Sequence, residues 1–572
     1  MSSKYRTEYD KWMNSGVLTN DELNELRRVK DDEKEIESRF YAPLSFGTAG
    51  LRGIMGVGLN RMNKYVIRHA TQGFAEVIGA EGPEAMKRGI IICYDCRINS
   101  RSFAQEAASV MAANGINVRL FDEMRPTPEL SFAVRHYGAT GGINITASHN
   151  PKEYNGYKVY WSDGAQLPPS HAKTVANSMA KTDIFTEIKY IDFDKAISEG
   201  IITVIGAETD KLFLEKVMSQ SVASQTVKNV MDQFSVVYTP FHGTGAKLVP
   251  EALKQLGVKH IYPVEKQMIP DGTFPTVDSP NPENPEGFQL SIELAQSIEA
   301  DIIIGTDPDG DRVGVMAKED GGYSIISGNQ IGVLLLDYLI KSRSAAGTLP
   351  ENPAAIKTIV TTEMARAVAE YSGIAMYETF TGFKFMAEKI SELKGSQEVI
   401  FCYEESYGYM IGDFVRDKDG VTAAMLIAEM SAWYKSRDMT LFDGLRELYK
   451  VHGHFAEKTL NLIMPGIDGL KKMDKLMSDL RKQPPQTIGG LDVVSVRDYL
   501  SGEVRDSSGS RLIDLSGSNV LGYTLKDGTN FFVRPSGTEP KVKVYILAKG
   551  NSSASCQATI ERCSAYAQGL KE

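Results

Sequence analysis

One pattern recurs three times along this 572-residue chain: an apolar segment of strand length, an amphipathic segment of helix length, and a second apolar segment. The copies lie at residues 89–122, 234–264 and 357–379. Apolar strands that alternate with helices are typical of parallel sheets covered by helices. Because the copies are spaced by more than about a hundred residues, they predict three related α/β domains with parallel or mixed sheets, not a short-period solenoid.

The pattern changes beyond about residue 455. Short strand-like segments such as NVLGYTL and NFFVRP alternate with Gly, Asp and Ser turns, and a helix-like segment closes the chain. This alternation predicts an α+β domain with an antiparallel sheet. We therefore predict four domains, at residues 1–200, 201–320, 321–455 and 456–572. The first begins with a charged helical extension over residues 1–40.

Composition and charge exclude several classes of protein. The chain is 42% hydrophobic and 24% charged with a net charge of -10, which is typical of a globular protein and argues against a nucleic-acid surface. No apolar segment approaches the roughly 20 residues that span a bilayer, and the first residues lack the apolar core of a signal peptide. We expect a cytoplasmic protein. Cys93 and Cys96 have C-x-x-C spacing but no second pair, so this segment is interpreted as a buried strand ending in a loop.

The first candidate site is the segment TASHNP, which contains Ser148 and follows the strand-like run GGINITA. Open α/β domains bind ligands beyond the carboxyl ends of their strands. A serine hydroxyl becomes a good nucleophile only when a base or a metal assists it. The alternative is an Asn-Pro turn with a surface serine. A serine hydrolase is disfavoured, because Thr146 and Asn150 stand where a G-x-S-x-G elbow has glycines.

The second candidate is the segment DPDGDR, which follows the apolar run ADIIIGT. Asp307, Asp309 and Asp311 stand at alternate positions, and such carboxylates can converge on a hard cation such as Mg²⁺. An EF-hand is excluded, because Arg312 replaces the required Gly and Lys318 replaces the bidentate Glu. Arg312 beside the carboxylates suits an anion held on the metal.

Further polar loops offer phosphate and sugar ligands, and each is a weak signal alone. Arginine can bind phosphate with two parallel hydrogen bonds, and loop amides and hydroxyls can add donors. The candidate residues are Thr381 in TGFK, Glu404 and Ser406 in YEESYG, Lys418 in RDKDG, Arg534, Ser536, Gly537 and Thr538 in RPSGTEP, and Thr48 and Arg52 in FGTAGLRG.

Together these motifs resemble the signatures of the α-D-phosphohexomutase family, specifically its phosphoglucomutase-like members. The resemblance covers roughly residues 40–550, with the signatures in the family's order. It implies that Ser148 carries a transferable phosphoryl group and that Asp307, Asp309 and Asp311 bind Mg²⁺ together with that group. It also implies four domains around a central cleft.

The resemblance assigns roles to the remaining candidates. Basic residues near the transferred proton correspond to His149, Lys158 and Lys418, and it does not rank them. The residues that it assigns to the sugar and its phosphate are Thr48, Arg52, Glu404, Ser406, Arg534, Ser536, Gly537 and Thr538. Arg312 and Thr381 are added as substrate-binding candidates from their places in the polar loops.

The function that this resemblance implies is the interconversion of glucose 1-phosphate and glucose 6-phosphate. The route is a phosphoserine enzyme and a sugar bisphosphate, with glucose 1,6-bisphosphate as intermediate and activator. Tyr403 and Tyr407 depart from the residues usual beside the sugar-binding loop, so a phosphopentomutase or a phosphomannomutase stays an alternative. A metal-dependent sugar phosphatase and a non-catalytic regulatory protein are less favoured. Neither a nucleic-acid nor a membrane partner is expected, and the sequence does not indicate the oligomeric state.

Overall fold

The computed structural model describes residues 3–47, 50–464, 467–536 and 541–571. They form two compact units: unit 1 is Met1–Ile326 with Tyr407–Ser436, and unit 2 is Ser327–Ser406 with Arg437–Glu572. Within the described ranges, every helix is too short or too polar to cross a lipid bilayer.

Unit 1 begins with three short helices, α1 (Lys4–Met13), α2 (Asn20–Arg28) and α3 (Glu33–Phe40). Thr19 and Glu22 form a capping box that starts α2. Trp12, Leu26 and Phe40 are buried in the core of the first domain. The predicted helical extension is therefore present as three helices that pack through apolar side chains.

The first sheet of unit 1 is mixed, with the strand order β1-β5-β4-β2-β3-β6. Strands β4, β2, β3 and β6 run parallel, whereas β5 pairs antiparallel with β4 and β1 pairs antiparallel with β5. Its strands are β1 (Leu51–Ile54), β2 (Ile90–Tyr94), β3 (Val118–Phe121), β4 (Gly141–Ile145), β5 (Tyr154–Trp161) and β6 (Ile202–Ile205). The helices of this region are α4 (Lys64–Ala80), α5 (Pro83–Arg88), α6 (Ser100–Ala113), α7 (Thr127–His136), α8 (Pro169–Met179) and α9 (Phe193–Ser198). Strands β2 and β4 are buried along their whole length, as expected for central strands covered on both faces.

The second sheet of unit 1 has the order β11-β10-β9-β7-β8 and the same mixture of strand directions. Its strands are β7 (Ser235–Thr239), β8 (His260–Pro263), β9 (Ile302–Thr306), β10 (Val313–Glu319) and β11 (Gly322–Ile326). The remaining elements of unit 1 are α10 (Ala207–Met218), α11 (Gln225–Met231), α12 (Gly245–Leu256), α13 (Glu265–Met268), a 3₁₀ helix (Pro285–Phe288), α14 (Gln289–Ile298), β15 (Gly408–Met410) and α18 (Gly420–Lys435).

Unit 2 contains a parallel sheet in which β13 and β14 flank β12. Its elements are α15 (Gly328–Ala346), β12 (Pro353–Thr358), α16 (Glu363–Tyr371), β13 (Ala375–Thr379), α17 (Phe383–Leu393), β14 (Glu398–Glu404) and α19 (Leu441–His452). The third copy of the repeat begins at residue 357, so the sequence predicts its first strand over KTIVTT. This prediction is wrong, because it places the strand four residues too far along the chain. The strand is PAAIKT, whereas Ile359 and Val360 lie beyond it and are buried against Tyr499 and Phe532.

The C-terminal sheet of unit 2 is antiparallel, with the order β16-β23-β22-β21-β18-β19-β20 and β17 paired to β18. Its elements are β16 (His454–Ile463), α20 (Ile467–Lys482), β17 (Thr487–Ile488), β18 (Leu491–Asp498), β19 (Glu503–Asp506), β20 (Gly509–Leu512), β21 (Leu521–Leu525), β22 (Asn530–Pro535), β23 (Lys541–Gly550) and α21 (Ser553–Gly569). The predicted fold class, three α/β domains and a last domain with an antiparallel sheet, is confirmed. The residue limits proposed for these domains stay a prediction.

Candidate active site

Ser148 lies just beyond β4, in the loop that connects it to β5, and its side chain is buried. Its backbone has a φ of +52°, a left-handed conformation that non-glycine residues rarely adopt. The Thr146 hydroxyl accepts a hydrogen bond from the Ser148 amide at 2.8 Å and thereby helps to fix this turn. The Ser148 Oγ donates to Asp307 Oδ2 at 2.6 Å and lies 3.1 Å from His149 Nδ1. The structure thus brings together two segments that lie 159 residues apart in the sequence.

Arg97 fixes the shape of the Ser148 loop. Its guanidinium donates to the carbonyl oxygens of Ser148 at 2.6 Å and of Pro151 and Tyr154 at 2.9 Å, and also to that of Asn150. Asp95 is paired with Arg97 and fully buried with it. Sequence reasoning missed Arg97, although its place directly beyond the buried strand β2 is the same signal that identified the other candidates.

The three aspartates occupy the tight connection between the antiparallel strands β9 and β10. Gly310 takes a φ of +65° at the turn. Asp307 Oδ1 accepts hydrogen bonds from the amides of Asp311 at 3.1 Å and Arg312 at 3.0 Å, so the loop folds back on its own first residue. One carboxylate oxygen from each aspartate lies within 4.8 Å of the others, and all three side chains are buried.

Two lysines lie against the aspartates. Lys158 Nζ on β5 lies 2.6 Å from Asp309 Oδ2 and 3.5 Å from Asp311 Oδ2. Lys418 Nζ lies 3.2 Å from Asp311 Oδ2 and 2.9 Å from Asp417 Oδ1. Burial alone would raise the pKa of Asp309, but Lys158, a hydrogen bond with Asp307 and the charge of Lys418 together lower that pKa. Burial likewise opposes the charge on Lys158, yet the carboxylates of Asp309 and Asp311 raise its pKa.

The donor set fits a hard divalent cation. Asp309 Oδ1 and Asp311 Oδ1 are buried and have no hydrogen-bond partner. Burial, and then the carboxylates of Asp309 and Asp311, raise the pKa of Asp307 well above its usual range. Oxygen ligands from several carboxylates are what Mg²⁺ prefers in proteins. These aspartates are therefore the residues that could hold the metal.

The other predicted residues of unit 1 surround this centre. Burial, followed by the charges of Arg312 and Arg52, lowers the pKa of His149 well below its usual range, so its imidazole is neutral. Arg52 on β1 donates to Asn150 Oδ1 at 2.9 Å. Arg312 Nη1 lies 2.8 Å from Glu283 Oε1, an acceptor that the sequence did not indicate. Thr48 lies outside the described residues.

The remaining predicted sugar-binding and phosphate-binding residues belong to unit 2. Ser406 lies in a turn after β14, not in an extended loop, and its hydroxyl donates to Glu404 Oε1 at 3.0 Å. Thr381 lies in a bend between β13 and α17. Arg534 on β22 is paired across the sheet with Lys543, and the Ser536 amide donates to Lys541 O at 2.8 Å. Gly537 and Thr538 lie outside the described residues.

The geometry of unit 1 supports chemistry on an anionic group carried by Ser148. A hydroxyl lies in contact with a carboxylate cluster suited to a cation, beside a neutral imidazole and two ammonium groups. Phosphoryl transfer depends mainly on positioning and on neutralising charge, and this set of residues provides both.

Comparison with known proteins gives a consistent result. Residues 43–184, 211–322 and 327–452 match phosphoglucomutase/phosphomannomutase alpha/beta/alpha domains I, II and III, and residues 472–557 match the C-terminal domain of the same family. A phosphoglucomutase of Staphylococcus aureus (strain N315) is 38% identical over 543 residues, which cover 93% of this chain and 94% of that protein.

Solved structures share the fold at lower sequence identity. A phosphoglucomutase/phosphomannomutase family protein from Burkholderia thailandensis aligns with a TM-score of 0.67 at 19% identity, over 92% of this chain and 97% of its own. The open form of parafusin, a phosphoglucomutase from Paramecium, aligns with a TM-score of 0.67 at 18% identity, over 92% and 95% of the two chains.

Proposed function

Because this chain belongs to the phosphoglucomutase/phosphomannomutase family and is a mutase that transfers phosphoryl groups, we propose that it interconverts glucose 1-phosphate and glucose 6-phosphate. Phosphorylated Ser148 donates its phosphoryl group to the free hydroxyl of the sugar phosphate, and the resulting glucose 1,6-bisphosphate returns its other phosphoryl group to Ser148. The observation that carries this proposal is the 2.6 Å contact between Ser148 Oγ and Asp307, inside a cluster of three buried aspartates.

The residues of unit 1 have different roles in the phosphoryl transfer. Asp307, Asp309 and Asp311 hold Mg²⁺, which supplies the positive charge that phosphoryl transfer requires. Arg97 keeps the Ser148 loop in one conformation through four backbone carbonyls. His149, Lys158 and Lys418 are the groups that can take up or return the proton of the reacting hydroxyl.

Unit 2 supplies the residues proposed to recognise the substrate. Glu404 and Ser406 are hydrogen-bonded to each other and bind sugar hydroxyls, with Thr381 on a neighbouring loop. Arg534 and Ser536 bind the phosphate that does not react. These roles follow from the family's motifs, and substitution of each residue tests them one by one.

Glucose is proposed because the Glu404 loop resembles the form that handles glucose and because the 38% identical relative is named a phosphoglucomutase. A mannose phosphate, which differs from the glucose compound in the orientation of one hydroxyl, or a pentose phosphate, which has one carbon fewer, would react by the same steps. The test compares kcat/KM for glucose 1-phosphate, mannose 1-phosphate and ribose 1-phosphate with the purified protein. The proposal predicts the highest value for glucose 1-phosphate, and a higher value for either other sugar would replace it.

A phosphatase with the same metal cluster is the second class to test. Such an enzyme would release inorganic phosphate in proportion to the substrate consumed. We expect sugar-phosphate isomer to accumulate without matching release of inorganic phosphate. A colorimetric phosphate assay run beside the mutase assay distinguishes the two.

A further inference from the structure

We propose that Thr127 and Asn144 are positioning residues that orient the Asp309 carboxylate toward the metal. The inference rests on the metal site of the proposed function. It gives a role to two residues that are not among the candidate site residues identified from the sequence. Thr127 is the first residue of α7, and Asn144 lies on β4, four residues before Ser148. Both side chains are fully buried.

Thr127 holds Asp309 through two separate hydrogen bonds. Its amide donates to the Asp309 carbonyl oxygen at 2.8 Å, and its hydroxyl donates to Asp309 Oδ2 at 3.0 Å. Asn144 Nδ2 in turn donates to the Thr127 hydroxyl at 2.8 Å. The direction of this chain is fixed, because an ionised carboxylate only accepts hydrogen bonds. The Thr127 hydroxyl must therefore donate to Asp309 and accept from Asn144.

These contacts decide which oxygen of Asp309 is left for the metal. Oδ2 accepts from Thr127 and from Lys158 at 2.6 Å, whereas the buried Oδ1 has no partner. Asn144 and Lys158 are directly paired residues of β4 and β5, and side chains of such a pair lie on the same face of the sheet. Thr127 on α7, which is held by Asn144, and Lys158 on β5 thus both bind Oδ2, and Oδ1 is the oxygen left without a hydrogen-bond partner.

The start of α7 also packs closely against the aspartate loop, as expected if α7 positions Asp309. A methyl group added at Gly310, in the middle of the aspartate loop, would lie 2.8 Å from Pro126 Cβ and 3.0 Å from Thr244 Oγ1. The start of α7 therefore lies directly against the loop. Outer groups that hold a metal ligand in place commonly change metal affinity when they are removed.

The test is the affinity for Mn²⁺, measured by calorimetry on the full-length, dephosphorylated protein. Thr127→Val keeps the branched shape and the backbone hydrogen bond but loses the hydroxyl, and it should raise the Kd for Mn²⁺ by about 10-fold. Thr127→Ser restores a hydroxyl and should bring the Kd back toward that of the wild type. Asn144→Ala should raise it by a smaller factor.

Thr140→Val is the matched control. Thr140 is also buried and also donates its hydroxyl, at 2.6 Å to Ala85 O, but it lies before the opposite end of β4. It should lower the melting temperature without changing the Kd for Mn²⁺. The inference is overturned if Thr127→Val binds Mn²⁺ within about twofold of the wild type, or if Thr140→Val weakens binding equally.

Further measurements distinguish a failure of the metal site from a failure of the positioning role. If Thr127→Val does not fold, Asn144→Ala decides, and an unchanged Kd in that variant contradicts the inference. If the wild-type protein itself binds no Mn²⁺, the proposed metal site fails, and with it the role of Thr127. A wild type that binds Mn²⁺ while the Thr127 variants match it refutes the positioning role alone.

Discussion

Two groups of charged side chains, one in each unit, differ in how completely their polar atoms are paired. The aspartate cluster of unit 1 contains Asp307, Asp309, Asp311 and Asp417 against Lys158, Lys418 and the more distant Arg312. Oxygens of Asp309 and Asp311 are left without a hydrogen-bond partner. The lysine network of unit 2 comprises Lys357 and Arg366 against Glu363 and Glu378.

In the lysine network the fully buried ammonium of Lys357 is paired with two partly exposed glutamates, and Arg366 Nη1 also lies 3.9 Å from Glu370 Oε1. Lys357 Nζ lies 2.8 Å from Glu378 Oε1 and 3.0 Å from Glu363 Oε1, and it donates to the Thr361 carbonyl oxygen at 3.1 Å. Arg366 completes the pairing with both glutamates. None of these four side chains has a buried polar atom without a partner.

This difference distinguishes a network that stabilises the fold from a site that binds a metal. Buried charges are tolerated when they are paired and hydrogen-bonded, as in the lysine network. The aspartate cluster keeps buried carboxylate oxygens without a hydrogen-bond partner, which is explained when a cation completes it. Substitutions in the lysine network should therefore affect stability, whereas those in the aspartate cluster should affect metal binding and turnover.

The largest effect is expected for Ser148→Ala. The reacting oxygen is lost while the small side chain still fits its buried position, so mutase activity should fall by at least about 10⁴-fold. The melting temperature should stay near that of the wild type. Coupled assays of protein purified free of host mutase measure the loss, and full turnover by this variant would contradict the phosphoserine scheme.

Lys357→Met should lower stability strongly. Removing the ammonium leaves the partly exposed Glu363 and Glu378 with Arg366 alone, and the cost should be about 3 kcal/mol, the lower end of the range for breaking a fully buried pair. Urea denaturation measures the free energy of unfolding. Because Lys357 is outside the aspartate cluster, the Kd for Mn²⁺ should be unchanged, and a large change in that Kd would undermine the distinction drawn between the two groups.

Asp309→Asn should act on the metal rather than on the fold. Removal of a group that only supports a metal ligand raises the Kd by up to about 100-fold, so the loss of a charged ligand should raise the Kd for Mn²⁺ by at least that factor. Activity should fall with it. The wild-type melting temperature should rise on addition of Mn²⁺, and this rise should disappear in the variant. Identical metal titrations of the two proteins would refute the assignment of Asp309.

The smallest effect concerns acid stability. Burial opposes the charge of Glu378, but Lys357 and Arg366 lower its pKa from 4.5 to about 2. The stabilisation by ionised Glu378 is thus complete above about pH 4.5 and is lost as the pH falls toward 2. From about pH 4.5 to 3.5, wild-type stability should fall by about 1 kcal/mol more than that of Glu378→Gln. Parallel stability curves would show that Glu378 does not titrate in this range.

Much of the fold could be predicted from the sequence because several of its central parallel strands are apolar along their length. IIICY and IIIGT are buried at every position and stand out in the sequence. The strand PAAIKT was misplaced because its alanines are weakly apolar, whereas the following Ile359 and Val360 look like strand residues. Those two side chains are buried by packing against Tyr499 and Phe532, far along the chain.

The site could be predicted as far as its residues form local motifs. Ser148 and the three aspartates belong to short signatures, and the resemblance that these carry to the phosphohexomutase family is confirmed. Arg97, Thr127 and Asn144 belong to no such signature. Thr127 meets Asp309 across 182 residues, and only the packing of α7 against the aspartate loop gives its hydroxyl a function.

The transfer through Ser148 is tested by following a labelled phosphoryl group. The protein is incubated with glucose 1,6-bisphosphate carrying ³²P and Mg²⁺, separated from it, and digested for mass spectrometry before and after addition of glucose 1-phosphate. The proposed mechanism predicts one label per chain on Ser148, which moves to the sugar bisphosphate when glucose 1-phosphate is added. Label on another residue, or label released only as inorganic phosphate, would contradict it.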